Sequence, residues 1–186
     1  MTIRRRDPDR TRAAILAAAQ QAFSTRAYAA VGIRDITAAA GASVALVNRY
    51  FGSKERLFAE AIGALFDADM LMRAPRAGYG KALVASFVDA PVDRINPLRI
   101  MILAAADPEA RATTERVLQD LIVEPLTKWF GGPDAEHRAA RLLLLASGFF
   151  LYRLLYPLPA WTGSLDAGSR AWLEDAFQSV IDDPAS

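Results

Sequence analysis

The sequence predicts an all-α protein of about nine helices, in which an N-terminal three-helix unit with a helix-turn-helix precedes a larger C-terminal helical region. Two observations carry this prediction. Alanine and leucine dominate, and apolar residues recur at spacings of three and four rather than two. Helix start signals also alternate with stop signals along the whole chain: Asp7-Pro8, Ser53 and Asp107-Pro108 open helices, while Gly41, Gly52 and Gly131-Gly132-Pro133 end them.

The first helix starts at Asp7-Pro8 and runs to about Arg26, with Ile15, Ala18, Ala19, Ala22 and Phe23 as its inward stripe. Ile33, Ile36 and Ala40 mark a short second helix, which Gly41 stops by taking a left-handed conformation. Ser43 is placed to cap a third, where Val47 and Phe51 share one face at i, i+4. Ser53 caps a fourth, with Leu57, Phe58, Ala61, Ile62, Leu65 and Phe66 as its stripe. Beyond Pro75, Gly78 and Gly80 the pattern gives helices near 79–90, 93–106, 108–130, 134–156 and 167–182, with Pro125 expected to kink or split the seventh. The expected domains are 1–52, with the helix-turn-helix at about 32–51, and 53–186.

Composition removes several classes of function. At 186 residues the chain has ample length for a buried core. It has no cysteine, so neither a disulfide framework nor a thiolate metal site can form, and the single histidine, His137, offers no metal or catalytic cluster. The arginines of MTIRRRDPDR are not followed by an apolar stretch, and the longest apolar run, Leu142 to Tyr152, is too short to span a bilayer. A soluble, cytoplasmic protein that binds no metal, no cofactor and no membrane is expected. Charge is uneven: residues 1–60 hold ten lysines and arginines against five acids, residues 61–186 twelve against sixteen. Phosphate attracts such a clustered excess of cations.

The helix-turn-helix gives that charge a purpose. With Val47 and Phe51 turned inward, Val44, Ala45, Asn48 and Arg49 are left on the outer face of the third helix. Asn48 can make a two-point hydrogen bond to adenine, and Val44 and Ala45 can touch a thymine methyl. Arg34 projects toward the same surface, Tyr50 offers a hydroxyl, and Lys54 adds charge to helix amides that favour phosphate. Arg4, Arg5 and Arg6 form an arm that could enter the minor groove. Spacing alone leaves other readings open, because helical enzymes and dimeric adaptors that bind no DNA also contain such helix pairs.

The order ILAAA, AF, Tyr28, IRDITAAAGAS and NRYFGSKERLF, from about Arg10 to Phe66, resembles the N-terminal domain of the tetracycline-repressor (TetR) family of transcriptional regulators. The resemblance implies a non-enzymatic, ligand-responsive regulator, most often a repressor, that binds a palindromic double-stranded operator as a homodimer. By position, Arg34, Val44, Ala45 and Asn48 fall where the family reads bases. Gly32, Ser43, Leu46, Tyr50 and Lys54 fall where it meets phosphates. Two departures stand out: Val31 and Gly32 replace the family's usual threonines, and Asn48 replaces a common tyrosine.

The family pattern further implies a C-terminal domain for effector binding and dimerisation. An apolar small-molecule effector would be lined by Phe66, Met70, Phe87, Met101, Leu118, Ile122 and Trp129. The last two helices, through Phe149, Tyr152, Trp172 and Phe177, would form an isologous interface.

Overall fold

A computed structural model describes residues 8–88, 94–161 and 163–182. Arg4 to Arg6 and the expected cap Asp7 lie outside these residues. Every regular element among the described residues is helical. Among the described residues eleven α-helices stand where nine are expected, because a short helix follows the fourth and the seventh is divided. In order they are α1 (Pro8–Thr25), α2 (Ile33–Ala39), α3 (Val44–Phe51), α4 (Lys54–Gly63), α5 (Ala68–Met72) and α6 (Tyr79–Val88). Then follow α7 (Pro97–Ala104), α8 (Pro108–Leu118), α9 (Glu124–Phe130), α10 (Ala135–Phe150) and α11 (Ala167–Asp182). Pro125 falls in the first turn of α9, and a π-helical turn, Gln119–Val123, separates it from α8.

The packing forms two compact units. The first is Met1–Phe66 with Ile95–Leu118, the second Asp67–Arg94 with Gln119–Ser186. The expected break after residue 52 is therefore not where the packing divides. Helix α4 buries Leu57, Phe58, Ala61 and Ile62 against the same core as Ile15, Ala19 and Phe23 of α1. Ile100 and Ala104 of α7, with Ala110 and Val117 of α8, complete that core. An aromatic triad closes it: Phe58 meets Phe23 and Tyr28 edge-on, each at 5.0 Å between ring centroids. Such pairs add about 0.5–1.5 kcal/mol beyond the area they bury.

In the second unit α6 packs against α11, and α10 against both α9 and α11. Phe87 lies 4.7 Å from Phe150 and 5.8 Å from Phe149 and Phe177. Phe149 and Phe177, expected at a dimer interface, are thus enclosed within the protomer, at 2% and 0% exposure. Tyr152 and Trp172, at 45% and 57%, keep surface to offer. Two further features hold this unit together. Gly80 of α6 lies directly against the α11 backbone, and its N–H donates to Gln178 Oε1 at 3.0 Å. Arg138 of α10 is buried yet donates from Nε to the Val180 carbonyl at 3.0 Å and from Nη2 to that of Ile181 at 2.5 Å. These are carbonyls of the last turn of α11, which have no acceptor role within the helix.

Candidate nucleic-acid interface

The turn between α2 and α3 is built on one left-handed glycine. Gly41 has φ +60°, its N–H donates to the Ala38 carbonyl, and that of Ala42 reaches back to Thr37 at 2.9 Å. This paired closure ends α2 at no Cβ cost and sets the angle at which α3 departs. Val47 and Phe51 then anchor α3 at 0% and 3% exposure. Gly52, at φ +82°, ends it. Ser53 Oγ accepts the Arg56 N–H at 3.1 Å to begin α4. Ser43 occupies the corresponding position before α3, but its hydroxyl makes no capping bond, contrary to the sequence expectation. It is exposed, so the hydroxyl is left facing solvent.

The start of α2 shows how the chain manages without a threonine at Gly32. Only the reciprocal half of a capping box remains: Asp35 Oδ2 accepts the Gly32 N–H at 3.4 Å and also a hydrogen bond from Arg26 Nη1 at 3.0 Å. The Arg26 bond first, and the Gly32 N–H second, hold the Asp35 carboxyl below its ordinary range. A carboxyl lowered in the folded state stabilises above its unfolded value, near 4, and loses that contribution as pH falls through the folded one. Protection of the amides at the start of α2, measured relative to their intrinsic exchange, is accordingly expected to fall on acidification below about pH 4 in the parent. In Asp35→Asn that loss of protection should be absent, which NMR protection factors at Gly32 and Ile36 would show.

Most of the remaining predicted contacts are open to solvent. Gly32, Arg34, Ser43, Val44, Ala45, Asn48 and Arg49 are exposed, and Leu46 and Tyr50 are half-buried. Among the described residues Arg34 and Arg49 have no ion pair. Their charge is thus available to phosphate, whereas Arg12 is paired with Glu60 and Arg26 with Asp35.

Lys54 is placed differently from the expectation of a simple phosphate donor. Its Nζ donates to the Tyr28 carbonyl at 2.7 Å and lies 4.1 Å from the centre of the Tyr28 ring. Burial lowers the lysine pKa, opposed by the charges of Asp107 and Glu109. Burial, followed by Glu109, Asp107 and Glu55, pushes the Tyr28 hydroxyl up to about 12. Sequence reading missed these acids, because nothing local shows that the start of α8 packs beside α4.

The residues expected to line an effector site are divided. Phe66, Met101 and Leu118 belong to the first unit and are half-buried. Met70, Phe87, Ile122 and Trp129 belong to the second, where Phe87 and Ile122 are buried. Trp129 is held by Tyr79 at 5.5 Å and by the Arg76 guanidinium at 4.8 Å. A groove of about 490 Å³ does occur in the first unit, between α1 and α2, but it is lined by residues such as Ala14, Ala18, Gln21 and Ala39 and by none of the seven. Among the described residues no group of His, Asp or Glu could hold a metal, and no helix is long and apolar enough to cross a membrane.

A short helix, a glycine turn and a second helix with an exposed, cation-flanked face make a helix-turn-helix, the arrangement with which many DNA-binding proteins enter the major groove. The family model for bacterial regulatory proteins of the tetR family matches residues 15–61, and that for the tetracyclin repressor-like C-terminal domain matches 77–181. The chain belongs to the TetR family: it is a DNA-binding transcriptional regulator and not an enzyme.

Solved structures share its fold. A TetR-family regulator from Streptomyces coelicolor A3 is 22% identical, covering 98% of this chain and all of its own, with a TM-score of 0.62. A TetR-family transcriptional regulator from Mesorhizobium loti MAFF303099 is 20% identical over 95% of both chains, with a TM-score of 0.55. A transcriptional regulator from Rhodococcus sp. RHA1 is 20% identical over 94% of this chain and 95% of its own, with a TM-score of 0.51. No curated protein matches the chain.

Proposed function

We propose that this protein is a ligand-responsive repressor that binds a palindromic operator as a homodimer in the cytoplasm. The observation that carries the DNA-reading part is the outward face of α3, where Val44, Ala45, Asn48 and Arg49 stand exposed beside Arg34. Arg34, Val44, Ala45 and Asn48 then meet base edges, while Gly32, Ser43, Leu46, Arg49, Tyr50 and Lys54 meet the sugar-phosphate backbone. Small apolar side chains suit a thymine methyl, an amide suits adenine, and an unpaired guanidinium suits guanine or phosphate.

Dimerisation is supported by apolar surface that a lone protomer has no reason to expose. Leu144 on α10 is 73% exposed, Tyr156 67% and Trp172 on α11 57%. A two-fold axis would let this surface cover itself, and a palindromic operator would offer one half-site to each protomer. An apolar effector would act by binding the operator-competent and operator-incompetent states with different affinity, and the operator must then weaken effector binding by the same factor.

Selection of tight binders from a random duplex library tests the DNA reading. A palindromic consensus is expected. Asn48→Ala should change the preferred base at one position of each half-site, at a cost of about 1–3 kcal/mol against the parent sequence. Arg49→Ala should instead weaken binding to all sequences alike and flatten the salt dependence by about one phosphate per protomer. Unaltered selection and unaltered affinity in both variants would reject this surface. Trp172→Glu tests the dimer: equilibrium sedimentation should move toward the protomer mass.

A further inference from the structure

We propose that the acidic first turn of α8 competes with DNA phosphate for Lys54, so that Asp107 and Glu109 set how much of that cation's charge the duplex feels. This inference rests on the reading of the first unit as the DNA-binding surface. The geometry starts with Lys54 itself. Its ammonium is already committed to the Tyr28 carbonyl at 2.7 Å and to the face of the Tyr28 ring at 4.1 Å. It therefore cannot swing freely outward, and a phosphate must come to it where it lies.

Helix α8 determines what else is there. It packs along α4, and Ala110 in its first turn is fully buried in the core cluster that also holds Tyr28 and Phe58. Asp107 caps that turn, with Oδ1 accepting the Ala110 N–H at 3.0 Å, and Glu109 follows within it. One and two helical turns further on, Thr113 and Arg116 both donate to Glu55, the neighbour of Lys54, at 3.2 and 3.3 Å. This clamp fixes the α4 start against α8, so the carboxylates stay in place when DNA arrives. Their charges act on both Lys54 and Tyr28. Two negative charges beside Lys54 offset the positive potential that a phosphate meets at its ammonium, and binding is weaker for it. Moving the first turn of α8 would change DNA affinity without touching α3.

The test titrates the whole chain with a short random-sequence duplex over a range of salt. Glu109→Gln combined with Asp107→Asn removes both charges, and asparagine keeps the helix cap. This pair is expected to tighten binding about three- to ten-fold at low salt and to steepen the salt dependence by up to about 0.9 per protomer. The gain should shrink as screening increases. In a Lys54→Gln background, which keeps a donor for Tyr28 but no charge, most of the gain should vanish. In Lys54→Arg it should persist.

A gain of equal size with and without the Lys54 charge would overturn the proposal, since the acids would then act directly on the duplex. So would no gain at all. Should Lys54→Gln fail to fold by circular dichroism, the salt dependence of the acid variants alone decides: an unchanged slope overturns the proposal. A parent chain without salt-dependent duplex binding overturns the DNA-binding reading as well, which separates the two failures.

Discussion

Replacing Gly80 by alanine is expected to destabilise the protein by about 3 kcal/mol or more, at the upper end of what overpacking costs. A Cβ at this position would lie 1.9 Å from the Glu174 carbonyl oxygen and 2.9 Å from the Gln178 nitrogen, both backbone atoms of α11. Backbone cannot rotate away as a side chain can, so one helix must move by more than an ångström. The surroundings resist that movement. Tyr79 beside it is fully buried with its hydroxyl donating to the Leu71 carbonyl at 2.6 Å, and Gln178 ties the Gly80 N–H to the Arg76 carbonyl. Urea unfolding should show the loss, with a melting point lower by roughly 6–12 °C on the scaling for a chain of this size. Lys81→Ala, one residue along on the exposed side of α6, should change stability by less than about 0.5 kcal/mol. Equal losses for the two would mean that the close crossing of α6 and α11 is not what the glycine is for.

Arg138→Met is expected to be nearly as costly, at about 2–3 kcal/mol, because hydrogen bonds from a charged group to buried carbonyls are worth roughly 1.5–3 kcal/mol. The guanidinium serves three ends together. It satisfies two carbonyls at the end of α11, places positive charge at the negative end of that helix, and rests 4.7 Å from the centre of the Phe130 ring. Methionine fills the stem's volume but leaves the carbonyls without a donor. Arg138→Lys keeps the charge yet cannot reach two carbonyls with a planar fork, so it should recover less than half of the loss. Full recovery by lysine would show that charge alone mattered. Thermal melts of the three proteins, read by circular dichroism, decide between these outcomes.

What could be read from the sequence was what is local. Gly41, Gly52, Ser53 and Asp107 announce turns and caps because the rule linking residue to backbone spans only a few positions. Ser43 shows the limit of that rule: it stands at the right position, and its hydroxyl still makes no capping bond. The outward face of α3 was legible for the same reason, since the positions of Val47 and Phe51 determine where Val44, Ala45, Asn48 and Arg49 must point. Long-range packing was not legible. Nothing near Lys54 reveals Asp107 and Glu109, some fifty residues on, and nothing near Phe149 reveals Phe87. An apolar excess shows that a residue is buried but not whether by its own chain or by a second copy. That is why Phe149 and Phe177 turned out to belong to the protomer core. Gly80 and Arg138 were equally hidden: the glycine stands beside Pro75 and Gly78 as if it broke the chain, and the arginine sits in the polar run DAEHRAAR.

The two-segment construction of the DNA-reading unit has a consequence for how the protein is made. Its core needs Ile100, Ala104, Ala110 and Val117, yet residues 67–94, which belong to the other unit, intervene in the chain. A ribosome that has released only α1 to α4 has therefore delivered a recognition helix without the packing that steadies it. The reader can close only once α8 has emerged, and closing that long loop carries an entropic cost that a purely local three-helix domain would escape. Nascent chains should consequently acquire protease resistance in this region late, only after Leu118 has been released. A gene fragment ending at residue 66 would not be a smaller working reader that could be transplanted onto another protein.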